Sequence, residues 1–196
     1  MYIAIEGIDT AGKSTQIEAI CKKFPNAVKT KEPGATQIGK EIRKMVLSAR
    51  TKSKKAEFLL FLADRAEHLQ EVVQPNLQKK MIISDRSAVS GVAYALVQGE
   101  IEEKELIALN NFATNSIYPE KVFLLYLTKE ELETRLSQKE LDGIELRGSE
   151  YLLTIQDALI KAATLLGLQL ITIDATQSRD AITKEILKNI TQECSN

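Results

Sequence analysis

Tyr2-Ile3-Ala4-Ile5-Glu6, Gly7-Ile8-Asp9-Thr10-Ala11-Gly12-Lys13-Ser14 and Thr15-Gln16-Ile17-Glu18-Ala19-Ile20 follow one another without a break and read as strand, loop and helix. A short apolar run enters Gly-x-x-x-x-Gly-Lys-Ser, and a helix-period pattern leaves it, which is the context a phosphate-binding loop needs. Gly7 and Gly12 allow a tight turn with its N–H groups pointing inward, a nest for phosphate oxygens. The candidate phosphate site is therefore Gly7, Ile8, Asp9, Thr10, Ala11, Gly12, Lys13, Ser14 and Thr15. Lys13 can reach β/γ-phosphates and the Ser14 hydroxyl can ligate Mg²⁺. The helix starting near Ser14 aims its positive end at the anion. The stretch implies a chain that binds a nucleoside triphosphate.

The rest of the composition narrows the class. With 196 residues, 44% of them hydrophobic, the chain can bury one substantial core, and one domain is expected. A formal net charge of −1 argues against a general nucleic-acid or membrane-surface binder. Lys52-Ser53-Lys54-Lys55 reads as a short solvated loop. Cys21 and Cys194 are too few for a disulfide framework, and the single His68 reads as a surface residue or as a support behind a site. No apolar run reaches the ~18 residues of a membrane span, so a soluble, cytoplasmic protein with no membrane partner is expected.

Strand and helix patterns alternate along the chain, predicting an α/β fold with a five-stranded parallel sheet covered on both faces. Strands are expected at Tyr2–Glu6, Ala27–Thr30, Met81–Ser84, Val122–Leu127 and Gln169–Ile173. Helices are expected at about Ser14–Phe24, Thr36–Leu47, Lys55–Gln78 (kinked at Pro75), Ala88–Val97, Glu103–Asn115, Lys129–Ser137, Ser149–Leu166 and Ser178–Ile190. A frayed polar tail, Thr191–Asn196, closes the chain.

Asp85 ends the third apolar strand and Arg86 follows it. At the carboxyl edge of an open sheet, such a pair offers one group for a metal and one for phosphate. An Asp at a strand end also reads as a helix cap, although the adjacent Arg86 weakens that alternative.

Glu6–Thr15, Thr30-Lys31-Glu32-Pro33-Gly34-Ala35-Thr36, Leu60–His68, Ser84-Asp85-Arg86 with Ser90-Gly91-Val92-Ala93-Tyr94, and Ile173-Asp174-Ala175 resemble, in order and spacing, the motif series of bacterial thymidylate kinases. The resemblance spans nearly the whole chain. It implies an enzyme that transfers phosphate from ATP, with Mg²⁺, to dTMP, and a homodimer. It implies that Phe61 stacks on the thymine ring while Arg65 donates to a thymine carbonyl. Their i, i+4 spacing puts both on one helix face. Phe61 would also serve as core, whereas an Arg within an apolar stripe needs an anionic or carbonyl partner. Tyr94 is implied to crowd the sugar 2′ position, and Ser90 and Gly91 to face the base. Asp9 is implied to lie between the acceptor's 3′-hydroxyl and its phosphate. Glu32 and Pro33 belong to the same acceptor loop. Arg43 joins Arg86 at the acceptor phosphate, or stands as an exposed helix charge.

The segment over the ATP phosphates departs from the family. The phosphate loop carries Thr10 where some members have arginine, and the lid, about residues 137–149, reads Asp142-Gly143-Ile144-Glu145 instead of Asp-Arg-Ile-Glu. Phosphoryl transfer spreads charge over equatorial oxygens that want a cation. Lys139 and Arg147 are the expected lid cations, and Arg135 is expected to pack near the adenine. Two rivals remain at this point: a nucleoside or nucleotide kinase with another acceptor, and a GTPase or regulatory nucleotide binder. Phe61, Arg65 and Tyr94 weigh against the first; the lack of an Asn-Lys-x-Asp string weighs against the second.

Overall fold

The computed structural model describes residues 1–48, 51–138 and 145–191. Its centre is β1 (Tyr2–Glu6), whose five residues are all buried. β1 is flanked by β3 (Ile82–Asp85) and β4 (Lys121–Tyr126), with β2 (Val28–Lys31) and β5 (Leu170–Asp174) at the edges. The order is β2-β3-β1-β4-β5 and every pairing is parallel, as the alternating pattern predicts.

Period-two alternation explains how one sheet carries two helical layers. In β4, Phe123 and Leu125 join a core with Ile3, Ile5 and Ile83, closed by α1 (Lys13–Lys23) and α9 (Arg179–Thr191). Val122 and Leu124 point the other way, into a core with α3 (Lys54–His68), α5 (Ala88–Gln98), α6 (Glu103–Thr114) and α8 (Ser149–Leu165). The remaining helices are α2 (Gln37–Leu47), α4 (Gln74–Asn76) and α7 (Lys129–Ser137). All five strands end at one edge, with β1 turning into Gly7, β2 into Glu32 and β3 into Arg86. The chain reverses its winding beside β1, so this edge is the crevice where open α/β sheets bind ligands.

Several expectations need correction. The long helix is not simply kinked at Pro75: a π-helical turn, Leu69–Val73, precedes it, with the Gln74 N–H donating to the Leu69 carbonyl. Such a widened turn is one way a helix adapts ahead of a residue that lacks an N–H and crowds the preceding turn. Lys54 and Lys55 are not loop but the first turn of α3, capped by the Ser53 hydroxyl on the Ala56 N–H. β2 runs to Lys31 because the Glu32 N–H still pairs with the Asp85 carbonyl. Of the two readings of His68, the surface one is wrong: it is buried behind Glu32. The tail at 192–196 lies outside the described residues.

Candidate functional site

The loop between β1 and α1 is shaped by sterics. Gly7 has φ +151°, and a Cβ there would sit 3.0 Å from the Leu125 carbonyl and 3.1 Å from Ala11 Cβ. No side chain fits, so the loop packs directly on β4. Lys13 opens α1 and folds over the loop, its Nζ donating to the carbonyls of Gly7 (3.0 Å) and Ile8 (2.9 Å). An ammonium has three N–H groups, so one remains for a ligand. Burial, followed by the charge of Arg86, lowers the Lys13 pKa to about 8.

Asp9 sits between two cations: Arg86 Nη2 at 2.7 Å and Lys13 Nζ at 3.7 Å. A carboxylate inside the Gly-rich loop thus holds the two cations, one on α1 and one after β3, beside each other. Arg86 itself has φ +68°, a strained conformation for a residue with a Cβ. It is held there by its N–H on the Ile5 carbonyl (3.0 Å) and by the Ser84 hydroxyl on its carbonyl (2.7 Å). Its Nη1 donates to the Gly7 carbonyl (3.2 Å) and to Ser90 Oγ (3.1 Å). Behind it lies Glu6, fully buried, accepting from the hydroxyls of Ser87 (2.8 Å) and Ser90 (2.6 Å) and from the Ser90 N–H (3.3 Å). Burial raises the Glu6 pKa, with Arg86 the main opposing influence. The Ser90 hydroxyl is therefore engaged with Glu6 and Arg86.

A second buried polar cluster joins β2 to α3 and α6. Arg65 Nε donates to Glu32 Oε2 (2.8 Å), and Nη1 donates to Asn110 Oδ1 (2.7 Å). His68 Nδ1 lies 2.9 Å from the other Glu32 oxygen, and its Nε2 lies 2.7 Å from Thr30 Oγ1. Burial alone would raise the Glu32 pKa, but the Arg65 charge and the His68 hydrogen bond outweigh it and bring it to about 2. Asp64 accepts from the Gly34 N–H (2.9 Å), tying the acceptor loop to α3. Pro33 is buried in that loop, and its carbonyl accepts from Arg43 Nη1 at 3.0 Å.

Two cavities open at the sheet edge. The larger, about 510 Å³, is lined by Asp9, Thr10, Gly12, Lys13, Ser14, Thr15, Lys31, Glu32, Arg43, Asp85 and Arg86. The smaller, about 340 Å³, includes Thr10, Gly12, Thr15, Arg135, Gln177 and Arg179 in its wall. Arg135 is locked by its Nη1 on the Thr10 carbonyl (3.0 Å) and its Nη2 on the Ala175 carbonyl (2.7 Å). Asp85 Oδ1 is buried beside the larger cavity with no hydrogen-bond partner. The Tyr94 hydroxyl is likewise buried and unpaired, its pKa pushed up to about 12 by burial against the pull of Arg86. Phe61, half-buried on α3, Arg65, Ser90, Gly91 and Tyr94 stand outside both cavity linings. Arg147 is exposed, its guanidinium 4.9 Å from the Tyr151 ring centroid and donating to the Tyr151 hydroxyl at 2.9 Å. Lys139 and Gly143 lie outside the described residues.

Sequence reasoning passed over Glu6, Ser87, Asn110, Lys31 and the wall residues Gln177 and Arg179. Asn110 was the most detectable. It stands four residues after Leu106 and three before Ala113, on the buried face of α6, where a polar residue needs a partner.

A parallel sheet with a phosphate loop at its switch point, an Asp-Arg turn on the neighbouring strand and adjoining cavities defines the class of P-loop phosphoryl-transfer enzymes. The pattern that describes thymidylate kinases matches residues 5–186. A thymidylate kinase of Sulfurimonas denitrificans is 71% identical over 190 residues, covering 97% of this chain and 99% of that one. One from Sulfurovum sp. is 50% identical over 187 residues, covering 95% and 97%. In fold, the chain resembles a solved thymidylate kinase of Ehrlichia chaffeensis with a TM-score of 0.76 and 24% identity, over 97% of this chain and 98% of that one. The chain belongs to the thymidylate kinase family.

Proposed function

We propose that the enzyme transfers the γ-phosphoryl group of ATP to dTMP, forming dTDP and ADP. An oxygen of the acceptor phosphate bonds to the γ-phosphorus in line as the bridging oxygen to the β-phosphate leaves. That oxygen is already anionic, so no general base is required, and catalysis is positioning plus charge neutralisation. The carrying observation is the shared Asp9 carboxylate, which aligns Lys13 of the ATP-phosphate loop with Arg86 on the acceptor side. Arg43 and Lys31 line the same cavity and add positive charge for the acceptor phosphate. Phe61 and Arg65 serve the base, Tyr94 the sugar, and the Thr10–Arg135 wall the adenine. A coupled assay with ATP, Mg²⁺ and a panel of nucleoside monophosphates tests this. Turnover restricted to dTMP and close analogues is expected; phosphate release without an acceptor would instead point to a simple nucleotidase.

Mg²⁺ fits the site. Asp85 presents a buried, unpaired carboxylate oxygen to the cavity that Ser14 also lines. Among the described residues no cluster of three or more His, Cys, Asp or Glu forms a self-sufficient metal site. That donor set suits an ion held by one carboxylate and a hydroxyl together with substrate phosphates and water. When bound, Mg²⁺ neutralises charge on the transferring phosphates. Asp85→Asn should raise the Mg²⁺ concentration giving half-maximal rate by about tenfold; an unchanged Mg²⁺ titration would remove Asp85 from the metal site.

The chain is one kinase domain with a lid at about 137–149, and Arg147 with Lys139 supplies the lid cation. A homodimer is the assembled form. Of the expected run Phe58–Leu62, Phe58 and Leu62 turn into the core while Leu59 is exposed. Leu59 is exposed together with Ile38 and Met45 of α2 and Phe112 of α6, helices that each pack on α3. Among the described residues no helix is long and apolar enough to cross a membrane. The cytoplasm is the setting that fits a nucleotide kinase.

A further inference from the structure

We propose that Glu6 is a positioning residue for recognition of the acceptor phosphate, acting on Arg86 through the hydroxyl of Ser90. The inference rests on the reading of Arg86 as a ligand of that phosphate and extends it to what aims the side chain.

Glu6 ends β1, is fully buried and lines neither cavity, so it cannot itself meet a nucleotide. A carboxylate in such a place needs donors around it. Its described hydrogen bonds supply three: the Ser87 hydroxyl at 2.8 Å, the Ser90 hydroxyl at 2.6 Å and the Ser90 N–H at 3.3 Å. Ser90 is the third residue of α5, so that N–H is one of the free donors at a helix start, where negative charge is favoured. Three donors suit the ionised carboxylate, which offers acceptors only.

The direction of the remaining bonds follows. A hydroxyl has one proton, and Ser90 gives it to Glu6 Oε2 in a short, charge-assisted contact. Only lone pairs of Ser90 Oγ are left to face Arg86, whose Nη1 donates to them at 3.1 Å. Nη1 also donates to the Gly7 carbonyl at 3.2 Å, and Nη2 donates to Asp9 at 2.7 Å. Both Nη1 protons are thus engaged by the protein, while the Nε–H and one Nη2 N–H have no acceptor among the described residues. Arg86 lines the larger cavity beside Lys13 and Arg43, so these two donors remain for an anion there. The left-handed backbone at Arg86, φ +68°, is an independent sign that the side chain is held in place for use. Were the Ser90 proton turned toward Nη1, that acceptor would be lost and the guanidinium would be held by Gly7 and Asp9 alone. Glu6 prevents the turn. An amide at position 6 would not. Its nitrogen would face either the Ser90 hydroxyl, driving that proton toward Arg86, or the Ser90 N–H, donor against donor.

The test compares dTMP with thymidine, which has the same base and sugar and no phosphate. Calorimetry gives dissociation constants of dTMP, thymidine and ATP for Glu6→Gln, Ser90→Ala and Arg86→Ala, and for the first two each combined with Arg86→Ala. Glu6→Gln and Ser90→Ala should each weaken dTMP by about tenfold and leave thymidine and ATP within about twofold. Neither should add to the loss already present in Arg86→Ala. Ser90→Ala leaves Glu6 with two of its three donors, so it carries the comparison should Glu6→Gln fail to fold. A merely structural support would, when lost, weaken dTMP and thymidine alike; that outcome overturns the relay, as does full additivity with Arg86→Ala. Arg86→Ala that weakens dTMP alone, with Glu6→Gln and Ser90→Ala binding normally, overturns the relay and leaves Arg86 at the phosphate. Normal dTMP binding by Arg86→Ala overturns the phosphate assignment and the relay together.

Discussion

Lys13 is the residue whose surroundings constrain its chemistry most tightly. Its ammonium is buried against two carbonyls with Arg86 nearby, and its pKa is lowered to about 8 from 10.5. A lysine with a depressed folded-state pKa is charged below that value and neutral above it, and triphosphate binding restores the charge. Above about pH 8, ATP binding must therefore take up a proton. The dissociation constant should weaken by about tenfold between pH 8 and pH 9.5. Calorimetry in buffers of different ionisation enthalpy reads this directly; binding without proton uptake at pH 9 would mean that Lys13 stays charged in the free enzyme. The Glu32 linkage has the opposite sense. Its folded pKa of about 2 lies below the ordinary 4.5, so its ion pair stabilises the protein fully above pH 4.5. That contribution is lost as pH falls from 4.5 through about 2.

Among the elements, the strand ends and helix starts at the carboxyl edge place the chemistry. α1 begins at Lys13 after Gly12 in the left-handed region, so its free N–H groups face the larger cavity. α2 begins under the Thr36 cap, whose Oγ1 accepts from the Gly39 N–H at 2.9 Å, and carries Arg43, whose Nη1 donates to the Pro33 carbonyl. The single turn Glu145–Arg147 ahead of α8 carries the exposed Arg147 on the Tyr151 ring. Stacked there, the guanidinium is held beside its helix, and the proposed lid-cation role requires it to leave that ring for a phosphate. Arg147→Met should lower kcat by about tenfold or more, with the dissociation constants of ATP and dTMP little changed, because the contact forms mainly in the transition state. Rapid-quench turnover beside equilibrium binding measures both. Wild-type turnover would assign the lid charge to Lys139, or to the phosphate loop alone.

For the whole molecule, the sheet faces are both covered, yet α2, α3 and α6 leave Ile38, Met45, Leu59 and Phe112 in solvent, Phe112 85% exposed. These exposed apolar side chains lie on helices that pack together through α3 and are the natural place for a protein–protein surface. A two-fold axis there would set α3 of each protomer near its partner. For the proposed homodimer, light scattering at micromolar concentration should show the unaltered chain as a dimer and Phe112→Glu as a monomer. A variant that remains dimeric would move the interface elsewhere.

What the sequence determined by itself is local and periodic. Tyr2–Glu6 into Gly7–Ser14 specified strand, loop and helix because each depends on neighbours within a few residues. β1 and Lys129–Ser137 have the expected bounds, and most other elements differ by one or two residues at their ends. Five alternating apolar strands specified a parallel sheet, since a strand buried on both faces needs helical crossovers. Tertiary structure alone decided which polar groups pair. Glu6 meets Ser90 across 84 residues, Arg65 meets Asn110 across 45, and His68 meets Glu32 across 36. No short-range pattern encodes these pairings. They follow from which strand ends and helix faces the strand order brings together, and from the need of every buried charge for a partner once water is excluded.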